Sequence, residues 1–255
     1  MAERLELLLS IYAKGERPTG SSDPYALRRA GNGVLQILCA KGWGLDLQRL
    51  LERATAHWAQ LLPHFQVEAP ALAEELGEFL RQRLQSLLEE GGTAVDLVQA
   101  VAGEGVPLAR VITDPADARQ RSELLTALRA SGELAAVQAV VTRAARLAEK
   151  GDLDGSLLSA AAVVDPALFE TASEAGMLAV IEQLQPIATS DSPDRYSRLA
   201  QGLIAGAAAL AAFFDGEQSV MVMADDPAIR TNRLNLLGVL RNQAAVLADF
   251  SRITG

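Results

Sequence analysis

The sequence has few of the residues that enzymes use for nucleophilic or metal chemistry. Its 255 residues include a single cysteine, Cys39, and two histidines, His57 and His64. A single cysteine excludes an internal disulfide bond. The histidines are seven positions apart with Pro63 between them, and no further cysteine or acidic pair completes a set of metal ligands. We therefore expect no metal site in this chain.

Loop motifs for catalysis are missing as well. The stretch around Gly31 and Gly33 matches only the first two glycines of a dinucleotide-binding loop and has no strand before it, which favours close helix packing instead. There is no Walker lysine and no GxSxG nucleophile elbow. Paired acidic residues such as Glu74 and Glu75 have no partner that would make one of them a general acid. The sequence therefore predicts no catalytic residue of its own.

A long apolar run and a cleavable leader are also lacking. The most apolar stretch, residues 199–214, is shorter than the roughly 20 residues that a membrane-spanning helix needs, and it predicts a buried core helix. The first residues place acidic side chains before a short apolar run and offer no small-residue cleavage site, unlike a signal peptide. We expect a cytoplasmic protein with no membrane partner.

Charge of both signs is present but unevenly distributed. The formal net charge is −9, which disfavours a DNA partner. Residues 61–226 hold 11 basic against 25 acidic side chains, whereas residues 1–60 hold eight against six and residues 227–255 hold four against one. The two ends are therefore mildly basic around an acidic middle. That middle is typical of a solvated surface and would also suit a protein partner.

The sequence is rich in helix-forming residues and in signals for helix starts. It is 49% hydrophobic but only 4% aromatic, which favours packed helices over β-sandwiches. Five times a capping residue precedes a proline and an apolar-periodic run. We predict an all-α chain with helices near residues 2–14, 24–41, 46–60, 70–90, 94–103, 115–130, 133–150, 152–161, 166–173, 175–186, 193–214 and 227–252.

The stretch "GEGVPLARVITDPAD" at residues 103–117 is the best position for a joint between two helical halves. We predict a helical region at residues 1–112 and a second helical domain at residues 113–255. No repeat of fixed period is present, which disfavours a regular solenoid.

Two stretches of the sequence resemble the β subunit of the bacterial two-subunit glycyl-tRNA synthetase. They are "RPTGSSDPYALRRAGNGVLQIL" at residues 17–38 and "FFDGEQSVMVMADDPAIRTNRLNLLGVLRNQAAVLADFSRITG" at residues 213–255. The tail from about residue 115 also resembles the all-helical DALR anticodon-binding domain, through "VQAVVTRAARLAEKG" at residues 137–151 and the run from residue 232 onwards. The resemblance implies the carboxyl-terminal part of such a subunit, with the end of an HD-like body before a DALR-like helical bundle.

The resemblance also implies a function. The chain would be a tRNA-binding, anticodon-recognising part of glycine-tRNA ligase, in an assembly of two α and two β chains. ATP-dependent charging of glycine tRNA, with ATP and Mg²⁺, would take place on the separate α subunit, so no cofactor is expected in this chain. The alternative is a helical protein-interaction or assembly module without direct RNA contact. Salt separates the two, because binding through phosphates weakens steeply as salt rises.

The arginines of the last predicted helix have two possible roles. Arg233 falls within its apolar stripe, where an arginine usually needs a carboxylate partner, and we expect Asp215 or Asp249. Alternatively, Arg230, Arg233 and Arg241 lie on one side of the helix and bind tRNA phosphates or unpaired anticodon bases.

A second basic pair, Arg143 and Arg146, lies three residues apart on a helix that we expect to flank the anticodon loop together with the last helix. In the amino-terminal motif, Asp23 is expected to cap a helix and direct Arg28 and Arg29 toward solvent or the tRNA body. A surface role without RNA is equally compatible with that pattern. The predicted tRNA-binding residues are thus Arg143, Arg146, Arg230, Arg233, Arg241, Arg28 and Arg29.

Overall fold

The computed structural model describes residues 1–254, and this range contains eleven α-helices and no β-strand, which confirms the predicted all-α class. The chain forms two compact units, residues 1–123 and 124–255. The helices are α1 Ala2–Ala13, α2 Leu27–Lys41, α3 Leu47–Leu61, α4 Ala69–Glu90, α5 Val95–Ala102, α6 Leu108–Thr113, α7 Pro115–Ser131, α8 Glu133–Ala148, α9 Ala172–Ala188, α10 Arg195–Phe214 and α11 Pro227–Ala245.

The division between the units falls later than the predicted boundary of 112/113, inside α7. The predicted joint contains a short helix, α6, that the sequence did not indicate, and α6 packs on α3, α4 and α5. Asp114 accepts hydrogen bonds from the backbone N–H groups of Ala116 and Asp117 and so begins α7 directly after α6. This Asp-Pro pair therefore starts a helix within the first unit and does not mark its end.

The first unit is organised around α4. Leu76, Leu80 and Leu84 of α4 are buried, and α1, α2, α3, α5 and α6 all pack on this helix. Gly31 lets α2 approach it closely, since a Cβ there would lie 2.9 Å from Cε1 of Phe79. This close packing is the role that the sequence favoured for Gly31.

The second unit is organised around α11, which packs on both α8 and α9. Its residues are buried on nearly every side between Asn232 and Ala244, so α11 is the central helix of this unit. Asp226 caps it by accepting hydrogen bonds from the N–H groups of Ala228 and Ile229, as predicted. The predicted continuation to residue 252 is wrong, because α11 ends at Ala245 and a 3₁₀ turn follows at Phe250–Arg252.

Two helices predicted between α8 and α9 are absent. Residues 152–161 have no regular structure, and Asp165 begins only a short 3₁₀ turn at Pro166–Leu168 in place of the predicted helix 166–173. Backbone carbonyls of this segment accept hydrogen bonds from side chains of α11. In a helix the same carbonyls would accept from backbone N–H groups instead, so the two kinds of hydrogen bond compete. Side-chain amides of α11 thus replace local helix formation.

Within residues 1–254, α10 is the one helix that is by itself long and apolar enough to span a membrane. It packs on α8 and α9 and buries one face, which includes Leu199, Leu203, Leu210 and Phe213. Gly206 allows the close approach to α9, because a Cβ there would lie 2.6 Å from Cγ1 of Val180. This packing agrees with the core helix predicted for residues 199–214.

Candidate nucleic-acid interface

Arg143 and Arg146 lie side by side on the exposed face of α8, one helical turn apart. They border a surface groove of about 630 Å³ on the second unit. Both side chains are solvent-exposed, so their charges are accessible to a ligand. The groove is lined by Gln138, Ala139, Thr142, Arg143, Arg146, Leu147, Ser251 and Ile253.

The carboxyl-terminal turn forms the opposite wall of this groove. The side chain of Gln138 donates a hydrogen bond of 2.6 Å to the carbonyl of Ile253, and Thr142 donates one of 3.1 Å to the carbonyl of Phe250. Phe250 and Ile253 are themselves buried. The groove therefore has a fixed wall, and the arginines lie beside it.

Arg143 has one ion pair and one aromatic neighbour. Its Nη1 lies 2.8 Å from Oδ1 of Asp215, and its Cζ lies 4.7 Å from the centre of the Phe214 ring. The Arg143 and Asp215 side chains are 50% and 71% exposed. An exposed pair of this kind contributes little to stability. Phe214 adds a cation–π contact to the Arg143 guanidinium.

Arg233, by contrast, lies inside the second unit with a side chain that is only 4% exposed. Its Nε lies 2.8 Å from Glu174 and its Nη2 lies 2.8 Å from Glu170. Nη1 donates a further hydrogen bond to the carbonyl of Met221. This burial contradicts the predicted tRNA-binding role of Arg233 and agrees with the structural alternative.

The partners expected for Arg233 were also wrong. Asp215 pairs with Arg143, and Asp249 caps the 3₁₀ turn at the end of the chain. Glu174 belongs to the capping box of α9, where Thr171 is the N-cap residue. Arg233 therefore links the central helix, α11, to the first turn of α9 through its ion pair with Glu174.

Glu174 is held in its charged form by this network. Burial on its own would raise the pKa of Glu174, but hydrogen bonds from Arg233 and from the backbone N–H groups of Glu170 and Thr171 outweigh it, and the pKa is lowered. The pKa of Arg233 is raised, because its hydrogen bonds to Glu174 and Glu170 outweigh burial, which by itself would lower it. The pair is therefore fully ionised at neutral pH.

Arg230 and Arg241 lie toward the two ends of α11 and are half-buried. Arg230 donates a hydrogen bond of 2.9 Å to the carbonyl of Ala224, and Arg241 donates one of 3.2 Å to the carbonyl of Leu153. Each therefore binds a loop of its own unit. We expected α11 to present these arginines to the anticodon loop, but the two side chains are partly covered and hydrogen-bonded. Their tRNA-binding role stays a prediction.

The sequence motif of α11 contains a second set of side chains whose role we did not foresee. The amides of Asn232, Asn235, Asn242 and Gln243 hydrogen-bond backbone groups of the irregular segment before α9. Asn242 alone donates to the carbonyls of Asp154 and Leu157, at 2.7 and 2.9 Å. Four amides among the leucines of this helix were the available signal, since buried amides need hydrogen-bond partners.

Arg28 and Arg29 lie in the first unit, at the start of α2. Arg28 is half-buried and Arg29 is exposed, and both border a polar pocket with Arg4 of α1. The carboxylate of Asp23 accepts hydrogen bonds from the N–H groups of Leu27 and Arg28, so Asp23 caps α2 as predicted. The helix nevertheless begins three residues later than predicted, after Ala26 in a left-handed conformation.

Residues 1–254 contain no group of three or more His, Cys, Asp or Glu side chains that could hold a metal ion. Burial raises the pKa of the Cys39 thiol, which is the opposite of what an activated nucleophile needs.

Comparison with known proteins shows what the chain is similar to. Residues 1–103 match the family described as Glycyl-tRNA synthetase beta subunit. The whole chain aligns with proteins named as beta subunits of glycine–tRNA ligase. The relative from Acaryochloris marina is 46% identical over 99% of this chain and 35% of its own length. The chain is thus similar to the glycyl-tRNA synthetase beta subunit family in residues 1–103, and to proteins named as its members over nearly its whole length. The resemblance inferred from residues 17–38 and 213–255 is therefore confirmed.

Further beta subunits of this family align over the same range. The relative from Picosynechococcus is 42% identical over 99% of this chain and 35% of its own length, and the one from Vibrio cholerae is 37% identical over 98% and 34%. The chain thus spans about a third of the length of the beta subunits that it matches.

Proposed function

We propose that this chain is a tRNA-binding part of glycine–tRNA ligase and that the groove beside α8 contacts the anticodon loop. The observation that carries the proposal is the exposed pair Arg143 and Arg146 at a groove with a fixed wall. The family relationship supports tRNA as the ligand, because the relatives are named as beta subunits of the ligase for this tRNA. Recognition of single-stranded loops commonly combines guanidinium groups with polar side chains that reach base edges.

In this proposal the chain acts as part of a larger enzyme. The aminoacylation reaction, with its ATP and Mg²⁺, takes place on a separate α subunit, in an assembly of two α and two β chains in the cytoplasm. The chain itself supplies RNA contacts and no catalytic group.

The proposed contacts differ in strength between the arginines. Arg143 and Arg146 are the principal contacts because both are exposed. Arg230 and Arg241 contribute less, since each already donates to a backbone carbonyl. Arg28 and Arg29 of the first unit contact the tRNA body. Arg233 is left out of the RNA-binding set because it is buried and paired.

The test is fluorescence anisotropy of the full 255-residue chain with three RNAs: glycine tRNA, the same tRNA with a changed anticodon, and an unrelated tRNA. Each is measured at two salt concentrations. We expect binding to weaken steeply as salt rises, because phosphate contacts release counterions. We also expect weaker binding of the tRNA with the changed anticodon.

Reversing the charges of the α8 arginines tests whether tRNA binds at the groove. The double substitution Arg143→Glu and Arg146→Glu is expected to weaken glycine tRNA binding at least tenfold, because two favourable charges become repulsive. Arg198→Glu is the charge-matched control for each single reversal, Arg143→Glu or Arg146→Glu, since Arg198 is an exposed arginine of the same unit on α10. Equal loss in Arg198→Glu and in the single reversals would indicate a general charge effect and remove the groove from the proposal. Absence of salt-sensitive tRNA binding would favour an assembly module instead.

A further inference from the structure

The first unit carries a cluster of arginines that outnumber the acidic side chains around them. Arg4 of α1 and Arg28 and Arg29 of α2 border one polar pocket. Among residues 1–254, none of these three guanidinium groups lies within 4.0 Å of a carboxylate. Like charges that share a pocket without a partner repel one another and favour a bound anion.

Asp23 is the one acidic side chain that lines this pocket. Its two carboxylate oxygens accept hydrogen bonds from the N–H groups of Leu27 and Arg28, at 2.8 and 3.0 Å. Asp23 therefore offsets one of three positive charges while its oxygens are used for capping. The pocket keeps an excess of positive charge.

Arg83 of α4 extends this positive region. Burial is the main cause that lowers the pKa of Arg83, and the charge of Arg28 lowers it further. The side chain also has a buried Nε without a hydrogen-bond partner. Arg28 thus lies close enough to a second cation for the two to repel each other.

Gly33 determines where the guanidinium of Arg4 lies. A Cβ at position 33 would lie 2.6 Å from Cζ of Arg4, which is shorter than a real contact. The Arg4 side chain therefore rests directly against the backbone of α2, where its Nη1 donates a hydrogen bond of 3.3 Å to the carbonyl of Arg29. Any larger side chain at position 33 would displace the guanidinium from this position.

We propose that Arg4, Arg28 and Arg29 form a phosphate-binding pocket in the first unit and that Gly33 positions Arg4 within it. Guanidinium groups suit this ligand because their fixed N–H donors match phosphate oxygens. The phosphate group comes from the RNA backbone, and this source rests on the proposed function. A free oligophosphate has the same chemistry and is separated from RNA by experiment.

The experiment uses the full chain and two probes, glycine tRNA and inorganic tripolyphosphate. Arg4→Ala is expected to weaken tripolyphosphate binding about tenfold, as loss of a charge-assisted contact does. For tRNA, the slope of log affinity against log salt is expected to become shallower by about 0.7–0.9, the value for one lost phosphate contact. The anticodon sequence should not affect these changes, unlike those in the α8 groove.

Gly33→Ala is the decisive variant because it keeps every charge. Alanine favours a helix over glycine, so the midpoint of thermal unfolding should stay the same or rise. Binding should nevertheless weaken, by less than in Arg4→Ala because the displaced guanidinium keeps its charge, and the double variant should lose no more than Arg4→Ala alone. Arg53→Ala is the charge-matched control, since Arg53 is an exposed arginine of the same unit that does not line the pocket.

The outcomes separate this inference from the proposed function. Unchanged binding of both probes in Arg4→Ala and Gly33→Ala would overturn the pocket, even if the chain binds tRNA through α8. Loss of tripolyphosphate binding with unchanged tRNA binding would support a phosphate pocket and overturn RNA as its ligand. If the chain bound no tRNA at all, the proposed function would fail, and tripolyphosphate would still decide the pocket.

Discussion

Two helices of the second unit use arginine in opposite ways. Arg233 of α11 is 4% exposed and bonded to two carboxylates and a carbonyl, whereas Arg143 of α8 is 50% exposed and paired with one exposed carboxylate. Removing the partner of a buried charge is costly, while an exposed pair contributes at most about 1 kcal/mol. Burial therefore separates an arginine that stabilises the fold from one whose charge remains accessible to a ligand.

The largest expected effect is the loss of stability when the buried arginine, Arg233, is replaced. Arg233→Ala should lower the free energy of unfolding by about 3–5 kcal/mol, because Glu174 would stay buried without its counter-charge. Arg143→Ala, the matched substitution on α8, should lower it by less than about 1 kcal/mol. Denaturation in urea measures both. Similar losses in the two variants would show that burial does not separate these arginines.

The carboxylate side of the buried pair gives the next largest effect and a pH dependence. Glu174→Gln should cost about 1.5–3 kcal/mol at neutral pH, since hydrogen bonds to a charged group are lost. The folded-state pKa of Glu174 is lowered, so its stabilisation is present above the unfolded value of 4.5 and is lost as pH falls through the folded value.

The stability difference between the unmodified chain and Glu174→Gln should therefore shrink below about pH 4.5. Urea denaturation at pH 7, 5 and 3.5 measures it. A difference for Glu174→Gln that is constant with pH would contradict the ionised pair.

The amides of α11 are expected to have a smaller effect, confined to one segment. Asn242→Ala removes two hydrogen bonds to the carbonyls of Asp154 and Leu157 and should cost roughly 1–2 kcal/mol. Hydrogen exchange of residues 152–163 should become faster, while α8 stays protected. Asn235→Ala removes a single hydrogen bond, to the carbonyl of Val163, and should therefore have a smaller effect on exchange. Uniformly faster exchange across the unit would contradict a local anchoring role.

The smallest effect on stability is expected at Asp215. Asp215→Asn should change the free energy of unfolding by less than about 0.5 kcal/mol, because the pair is exposed. Under the proposed function it should tighten glycine tRNA binding about two- to fivefold, since Arg143 no longer has an internal carboxylate partner. Anisotropy measures the binding, and the same substitution combined with Arg143→Ala should give no gain. Weaker binding in Asp215→Asn would indicate that Asp215 positions Arg143.

Part of this architecture could be predicted and part could not. Asp226 and Pro227 begin α11 as predicted, because a cap and a proline act on the N–H groups of the next turn. Asp165 and Pro166 carry the same signal but begin only a 3₁₀ turn. There the backbone N–H and carbonyl of Asp165 are both bonded to the side chain of Asn232, which is far away in the sequence.

Residue types and local spacing alone were sufficient to predict the all-α class, most helix positions and the basic pair on α8, and the family was predicted from the resemblance of residues 17–38 and 213–255. Caps, prolines and apolar periodicity act within a few residues, so their effects are readable along the chain. The tertiary structure decided which arginine is buried, which carboxylates pair with it and why residues 152–161 are not helical. Those outcomes depend on bonds between residues 59 to 88 positions apart, and no local pattern specifies which distant partners meet.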